Sequence, residues 1–249
     1  MATRNRTGPA DAVRHLVVVM LWACLATIAA PGRAGVAAER LVADPPRTDG
    51  QAHPGLQTRG PIRIVALGDS LTAGLGLPEP ATFPVKLQKA LTASGHAVEI
   101  ANAGVSGDTA SDGLARLAWS VPEGTDAVIL ELGANDALRG IDPKVTRAAL
   151  ETIIQRLRQQ HVAILLAGMR APPNMGGDYA QAFESIFSTL ATRYDLIFFP
   201  FFLDGVAANP ALNQPDGMHP TAAGVDVIVA NILPAAEQLI GRVNQARQP

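Results

Sequence analysis

Five positions carry the side chains and amides that acyl chemistry at a serine needs: Ser70, Gly107, Asn135, Asp216 and His219. A serine hydroxyl is a weak nucleophile until a base takes its proton. The base needs a group that holds its orientation, and the oxyanion that forms needs hydrogen-bond donors. Ser70 follows the apolar run Ile62-Arg63-Ile64-Val65-Ala66-Leu67, in the turn Gly68-Asp69-Ser70. Of the five histidines, His15 borders an N-terminal apolar stretch and His53 lies among prolines and glycines. His96 and His161 fall at helix-to-strand turns, on the opposite sheet edge from Ser70. Only His219 falls on the edge that Ser70 occupies. Asp216 stands three residues before it, a spacing at which a carboxylate in a turn reaches the imidazole Nδ1–H and fixes its tautomer. The candidate oxyanion donors are the N–H groups of Ser70 and Gly107 and the side-chain amide of Asn135, which offers two hydrogens without a charge. Each residue also has a plainer reading. Ser70 can be a helix cap, Asn135 and Asp216-Gly217 can be turn formers, and His219 can be structural. Taken singly, these residues leave both readings open. Asp69, Asp108, Asp136 and Arg139 read as residues that fix the same loops.

Other chemistries lack their spacing. No Gly-x-Ser-x-Gly elbow occurs, and Gly68, Gly74 and Gly76 do not form a dinucleotide-binding Gly-x-Gly-x-x-Gly. No His, Asp and Glu cluster has metal-ligand spacing, so neither a metal nor another cofactor is expected. The single cysteine, Cys24, lies in the N-terminal apolar stretch, which leaves the rest of the chain without a thiol nucleophile or a disulfide. A hydrophobic content of 48% excludes a disordered chain. A net charge of −2 without a basic stripe argues against a nucleic-acid partner.

The elements that must position these residues follow from periodicity. Apolar, β-branched runs predict strands over 62–67, 97–101, 126–132, 162–167 and 196–199. Helices are predicted over 84–93, 109–119, 143–160, 179–192 and 221–238, the last bent or stepped near Pro234. In 143–160 the spacing of Val145, Ala149, Ile153 or Ile154, and Leu157 predicts the buried face. Residues 104–109, 133–136 and 200–220 read as irregular. Near-continuous apolar strands alternating with helices imply an α/β fold: a flavodoxin-like three-layer α/β/α sandwich around a five-stranded parallel sheet. Ser70, Gly107, Asn135 and His219 then follow strands or precede the last helix, all on the carboxyl edge, where ligands bind in such sheets.

The N-terminus reads as a targeting segment. Arg4, Arg6 and Arg14 precede an uncharged run over 16–30, too short for a typical membrane span. Cleavage after Ala38 fits the small residues before it, and cleavage after Ala30 or an uncleaved anchor are the alternatives. Cleavage after Ala38 takes four of the 20 basic residues and one of the 22 acidic, leaving a net charge of −5. The expected organisation is a signal peptide over 1–38, a flexible Pro/Gly linker over 39–60 and one domain over 61–249.

Four blocks in order, Gly68-Asp69-Ser70-Leu71, a segment ending in Gly107, Gly133-x-Asn135-Asp136 and Asp216-x-x-His219, resemble those of the GDSL or SGNH hydrolases. The likeness is greatest to the bacterial periplasmic group with thioesterase, lysophospholipase and arylesterase activities. It extends through 113–117, 131–140 and Met169-Arg170-Ala171-Pro172, and spans about 61–240. The resemblance implies Ser70 as nucleophile, Asp216 and His219 as its partners, an oxyanion hole of the Ser70 and Gly107 amides with Asn135, and the SGNH three-layer fold. It implies a small-molecule acyl ester or thioester substrate, lipids included, and a periplasmic or secreted protein. A monomer is expected, without metal. Leu138, Ile141, Met169 and Pro172, with Ala171, Pro173 and Met175, are expected to line an acyl groove, ordinary loop packing being the plainer reading. The stretch after Ser70 through Gly95 reads as longer than in the family, and 200–215 matches it poorly, so substrate preference is the least constrained property. A carbohydrate O-acetylesterase on the same fold and a non-catalytic envelope binding protein are the alternatives. The complete set of five site residues argues against the second.

Overall fold

The structure, a computed structural model, describes residues 60–248. The expected signal segment 1–38 and nearly all of the 39–60 linker lie outside the described residues. Five parallel strands, β1 (Ile62–Gly68), β2 (Val98–Gly104), β3 (Ala127–Glu131), β4 (Ala163–Ala167) and β5 (Ile197–Phe199), pair in the order β2-β1-β3-β4-β5. The long helices α2 (Phe83–Ala93) and α8 (Ala222–Ala246) pack together on one face. On the other lie α6 (Pro143–Gln159) and α7 (Gly177–Tyr194), with the short α3 (Ala110–Ala115) against α6. Every residue of β3 is buried, which is why its sequence is apolar without alternation.

The chain builds outward in both directions from β1. β2 lies on one side of it and β3 on the other, so the carboxyl ends of β1 and β3 meet at the point where the strand order reverses. In register, Gly68 stands beside both Gly104 and Glu131, so the three strands finish level. The elements that follow them, α1 (Ser70–Ala73) and α5 (Ala134–Leu138) among them, therefore crowd one crevice. Gly104 permits that crowding: a Cβ there would stand 2.2 Å from the Ala73 nitrogen, so only glycine lets α1 lie against β2.

Several local expectations are corrected. β2 runs three residues past the predicted 101, because it is an edge strand whose polar Asn102 is exposed and its apolar pattern therefore breaks early. The stretch 109–119 is two helices, α3 and α4 (Leu117–Ser120), divided at Arg116, whose guanidinium turns inward. On α6 Val145 is 48% exposed and Thr146 is buried in its place. A hydrogen bond of 2.9 Å from Thr146 Oγ1 to Asp136 Oδ1 draws that polar side chain inside. The last helix continues eight residues past the expected 238 and through Pro234. A proline in a helix interior costs about 3 kcal/mol. Burying Val225, Ile228, Ile232, Leu239, Ile240 and Val243 contributes about 1.5–3 kcal/mol each and outweighs it. Among the described residues α8 is the one helix long and apolar enough to cross a membrane, but this apolar face belongs to the core.

Candidate active site

β1 delivers Ser70 as the first residue of α1. Asp69 caps that helix, its Oδ1 accepting from Leu71 N–H at 3.0 Å. As the first helical residue, Ser70 has an N–H with no carbonyl one turn back to receive it. His219 comes from the loop before α8, where a bridge between Asn213 and Pro220, and a 2.7 Å bond from Gln214 N–H to the His219 carbonyl, close a tight loop. His219 Nε2 lies 2.9 Å from Ser70 Oγ, and Nδ1 lies 2.7 Å from Asp216 Oδ2. The other Asp216 oxygen accepts from the N–H groups of His219 and Met218 at 3.0 and 2.9 Å. These two N–H groups, with the imidazole, hold the Asp216 carboxyl down at about 2. The result is a hydroxyl, an imidazole and a fixed carboxylate in series, an arrangement able to take a proton from Ser70 and stabilise the imidazolium that forms.

Asn135 stands at the start of α5, and its Nδ2 donates to the Asp108 carbonyl at 3.0 Å and to Asp69 Oδ2 at a long 3.3 Å. Gly107 has φ +90, a left-handed turn that suits glycine. Its carbonyl accepts from Arg139 Nη2 at 2.8 Å, while its N–H donates to no acceptor among the described residues. The other loop-fixing expectations have specific forms. Asp108 pairs with Arg116 at 2.5 Å, and Asp136 Oδ2 accepts from Ala110 N–H at 2.9 Å.

Ser70, Asn135 and His219 line one cavity of about 380 Å³, within the range of small-molecule sites. Its remaining walls are mostly apolar and include Leu138, Met169, Ala171, Pro172 and Pro173, as the sequence suggests. Ile141 and Met175 do not line it. Ile141 lies past Gly140, where φ is +62. Its N–H returns to the Asp136 carbonyl to close α5, and its own carbonyl accepts from the Tyr179 hydroxyl at 2.9 Å. Gly107 is also absent from the cavity wall; its loop is tied to the site by the neighbouring Asp108, whose carbonyl holds Asn135. Phe201, Leu203, Ala207 and Ala208 complete the wall from a stretch without periodicity, which hid them from sequence reasoning.

A buried polar layer lies beneath the nucleophile loop, and its roles were not read from sequence. Glu131, the last residue of β3, is fully buried and accepts from Thr72 Oγ1 at 2.7 Å, while its Oε1 has no partner. Burial pushes its carboxyl well above the usual carboxylate range, and nearby Asp69 adds to the rise. Burial raises Asp69 as well, to about 6, against the lowering effect of the Leu71 N–H. Arg116 Nη2 donates to the Gly68 carbonyl at 2.9 Å and ties α3 to the end of β1. The available signal was a single glutamate in the otherwise apolar run Ala127-Val128-Ile129-Leu130-Glu131-Leu132.

The chain belongs to the GDSL-like lipase/acylhydrolase family, whose model matches residues 66–227. It is thus a hydrolase of the ester-cleaving class. Esterase TesA of Pseudomonas aeruginosa is 36% identical over 71% of this chain and 89% of its own length. An arylesterase of Vibrio mimicus is 38% identical over 64% of this chain and 80% of its own. Among solved structures, a crystal structure of TesA superimposes with a TM-score of 0.68 at 35% identity, over 71% of this chain and 99% of that one. The SGNH-hydrolase family esterase AlinE4 is similar with a TM-score of 0.62 at 43% identity, over 72% and 97%. Among the described residues no group of three or more His, Cys, Asp and Glu side chains is placed to hold a metal ion.

Proposed function

We propose that the protein is an exported serine esterase that cleaves acyl esters or thioesters through an acyl-enzyme on Ser70. The observation that carries this reading is the unbroken series from Ser70 through His219 to Asp216, opening into an apolar cavity. His219 Nε2 takes the proton as Ser70 Oγ bonds to the substrate carbonyl carbon. The oxyanion accepts hydrogen bonds from the Ser70 and Gly107 N–H groups and from Asn135. Asn135 gives up its long contact to Asp69 to do so, while its bond to the Asp108 carbonyl keeps the amide aimed. Collapse breaks the bond to the leaving oxygen or sulfur, which takes the proton from the imidazolium. Water, deprotonated by the same imidazole, then attacks the acyl carbon; the acyl–Oγ bond breaks, the carboxylic acid leaves, and the imidazolium returns its proton to Ser70 Oγ.

The apolar walls favour a substrate with a hydrocarbon acyl chain over an acetylated sugar. The relatives named esterase, arylesterase and thioesterase 1/protease 1/lysophospholipase L1 point to the same substrate class. The charge and hydropathy pattern of 1–38 supports export to the periplasm or beyond. On the same reading a linker over 39–60 and a domain over 61–249, taken as a monomer, follow it. Hydrolysis of p-nitrophenyl esters of graded acyl length, alongside Ser70→Ala and labelling by a fluorophosphonate, tests the reading. Turnover and labelling that both vanish in the variant are expected, with an optimum beyond acetyl. A folded protein that neither turns over any ester nor takes the label would overturn it. Residue-level sequencing of the exported protein checks cleavage after Ala38.

A further inference from the structure

The cavity wall carries two ionisable side chains, His219 and Arg170. His219 is committed to Ser70 and Asp216. Arg170 follows β4 on the carboxyl edge and is exposed, which puts its guanidinium at the mouth rather than in the depth of the cavity. It lies over a ring: the guanidinium carbon is 4.6 Å from the centroid of Phe201, another wall residue. Among the described residues it makes no ion pair and no hydrogen bond. Arg116 and Arg139, the other arginines beside the site, are both bonded, to Asp108 and the Gly68 carbonyl and to the Gly107 carbonyl. Stacking on an aromatic face holds a guanidinium in place while leaving its N–H edge open. That edge matches the paired oxygens of a phosphate or carboxylate.

We propose that Arg170 is a specificity-determining residue that receives an anionic oxyacid group on the part of the substrate remaining outside the apolar cavity. The preferred substrate is then an anionic acyl amphiphile, its chain among Leu138, Met169 and Leu203 and its charge on Arg170. This rests on the acyl-hydrolase reading above and adds the polarity of the group beyond the scissile bond. The charge comes either from a phosphate headgroup or from a carboxylate on the leaving alcohol. An uncharged ester uses the same cavity without this contact.

The test compares matched pairs of substrates on one preparation of the full protein. One pair is monodecanoylglycerol and its glycerol phosphate counterpart. The other is phenyl octanoate and para-carboxyphenyl octanoate. For each pair the ratio of kcat/KM, anionic over neutral, is measured for the wild type, Arg170→Gln and Arg170→Lys. Because each ratio comes from a single preparation, partial misfolding cancels. A drop of about fivefold in the ratio is expected for Arg170→Gln, carried by KM, with most of it restored in Arg170→Lys. The wild-type ratio should also fall with added salt, and the Gln variant's should not. A drop confined to the first pair assigns a phosphate, and one confined to the second assigns a carboxylate. Unchanged ratios in both pairs overturn the proposal while leaving hydrolysis of the neutral esters as support for the enzyme itself. Absence of neutral-ester hydrolysis by the wild type overturns the underlying reading instead, and this proposal with it.

Discussion

Glu131→Gln isolates the electrostatic cost of the layer beneath the nucleophile. Glu131 is fully buried, with Asp69 as a neighbouring acid and one oxygen unpartnered. Its carboxyl is raised in the fold from an ordinary value of 4.5. A raised carboxyl contributes its full stability below the unfolded value and loses it as pH rises, since the unfolded chain releases the proton first. Each pH unit above 4.5 therefore costs about 1.4 kcal/mol while the folded group stays protonated. The cost keeps growing with pH until the folded carboxyl itself releases its proton, against the roughly 5–15 kcal/mol typical of a domain. Glutamine is neutral in both states and escapes this cost, though its amide hydrogens need acceptors, for about 1–3 kcal/mol at every pH. The slope with pH, not the absolute stability, is thus the diagnostic. Urea unfolding at pH 5, 6, 7 and 8 should show the variant gaining on the wild type as pH rises, by up to about 1.4 kcal/mol per unit while the folded carboxyl keeps its proton. Two curves that run parallel across this range would refute a proton held on Glu131.

The other predictions concern the site and its supports. Asn135→Ala should lower turnover of a p-nitrophenyl ester on the order of 100-fold, with a thermal midpoint close to wild type, since the side chain is one oxyanion donor among three. Asp216→Asn should lower kcat on the order of ten-thousandfold by presenting the wrong partner to Nδ1, as the equivalent change does in a serine protease. The same variant should flatten the acid limb of stability. The Asp216 carboxyl sits at about 2 against an ordinary 3.8, so its contribution is present above 3.8 and lost as pH falls through 2, which acid titration by circular dichroism would read. Arg116→Met strips the half-buried Asp108 of its partner and frees the Gly68 carbonyl, and should cost about 3 kcal/mol in urea unfolding.

The layer architecture and the chemistry-bearing loops are legible in the residue pattern alone. Buried parallel strands demand near-continuous apolar runs, and in a parallel sheet every strand-to-helix loop falls on one edge, so Ser70, Asn135 and His219 could be gathered without coordinates. With one histidine on that edge, the pairing with Asp216 followed from a three-residue spacing inside a turn. Which side chains meet across long separations is set by packing. Thr72 reaches Glu131, Arg116 reaches the Gly68 carbonyl, and Asn135 reaches Asp69, all through strand register and crossover paths that no local pattern encodes. The same dependence turned Ile141 out of the cavity, drew Thr146 in where Val145 was expected, and brought Phe201 and Leu203 from an aperiodic stretch to wall it. Local propensity reports what a segment forms. The cavity, the buried acids beneath the nucleophile loop and the exposed arginine at the cavity mouth depend on how segments pack, which is a property of the whole fold.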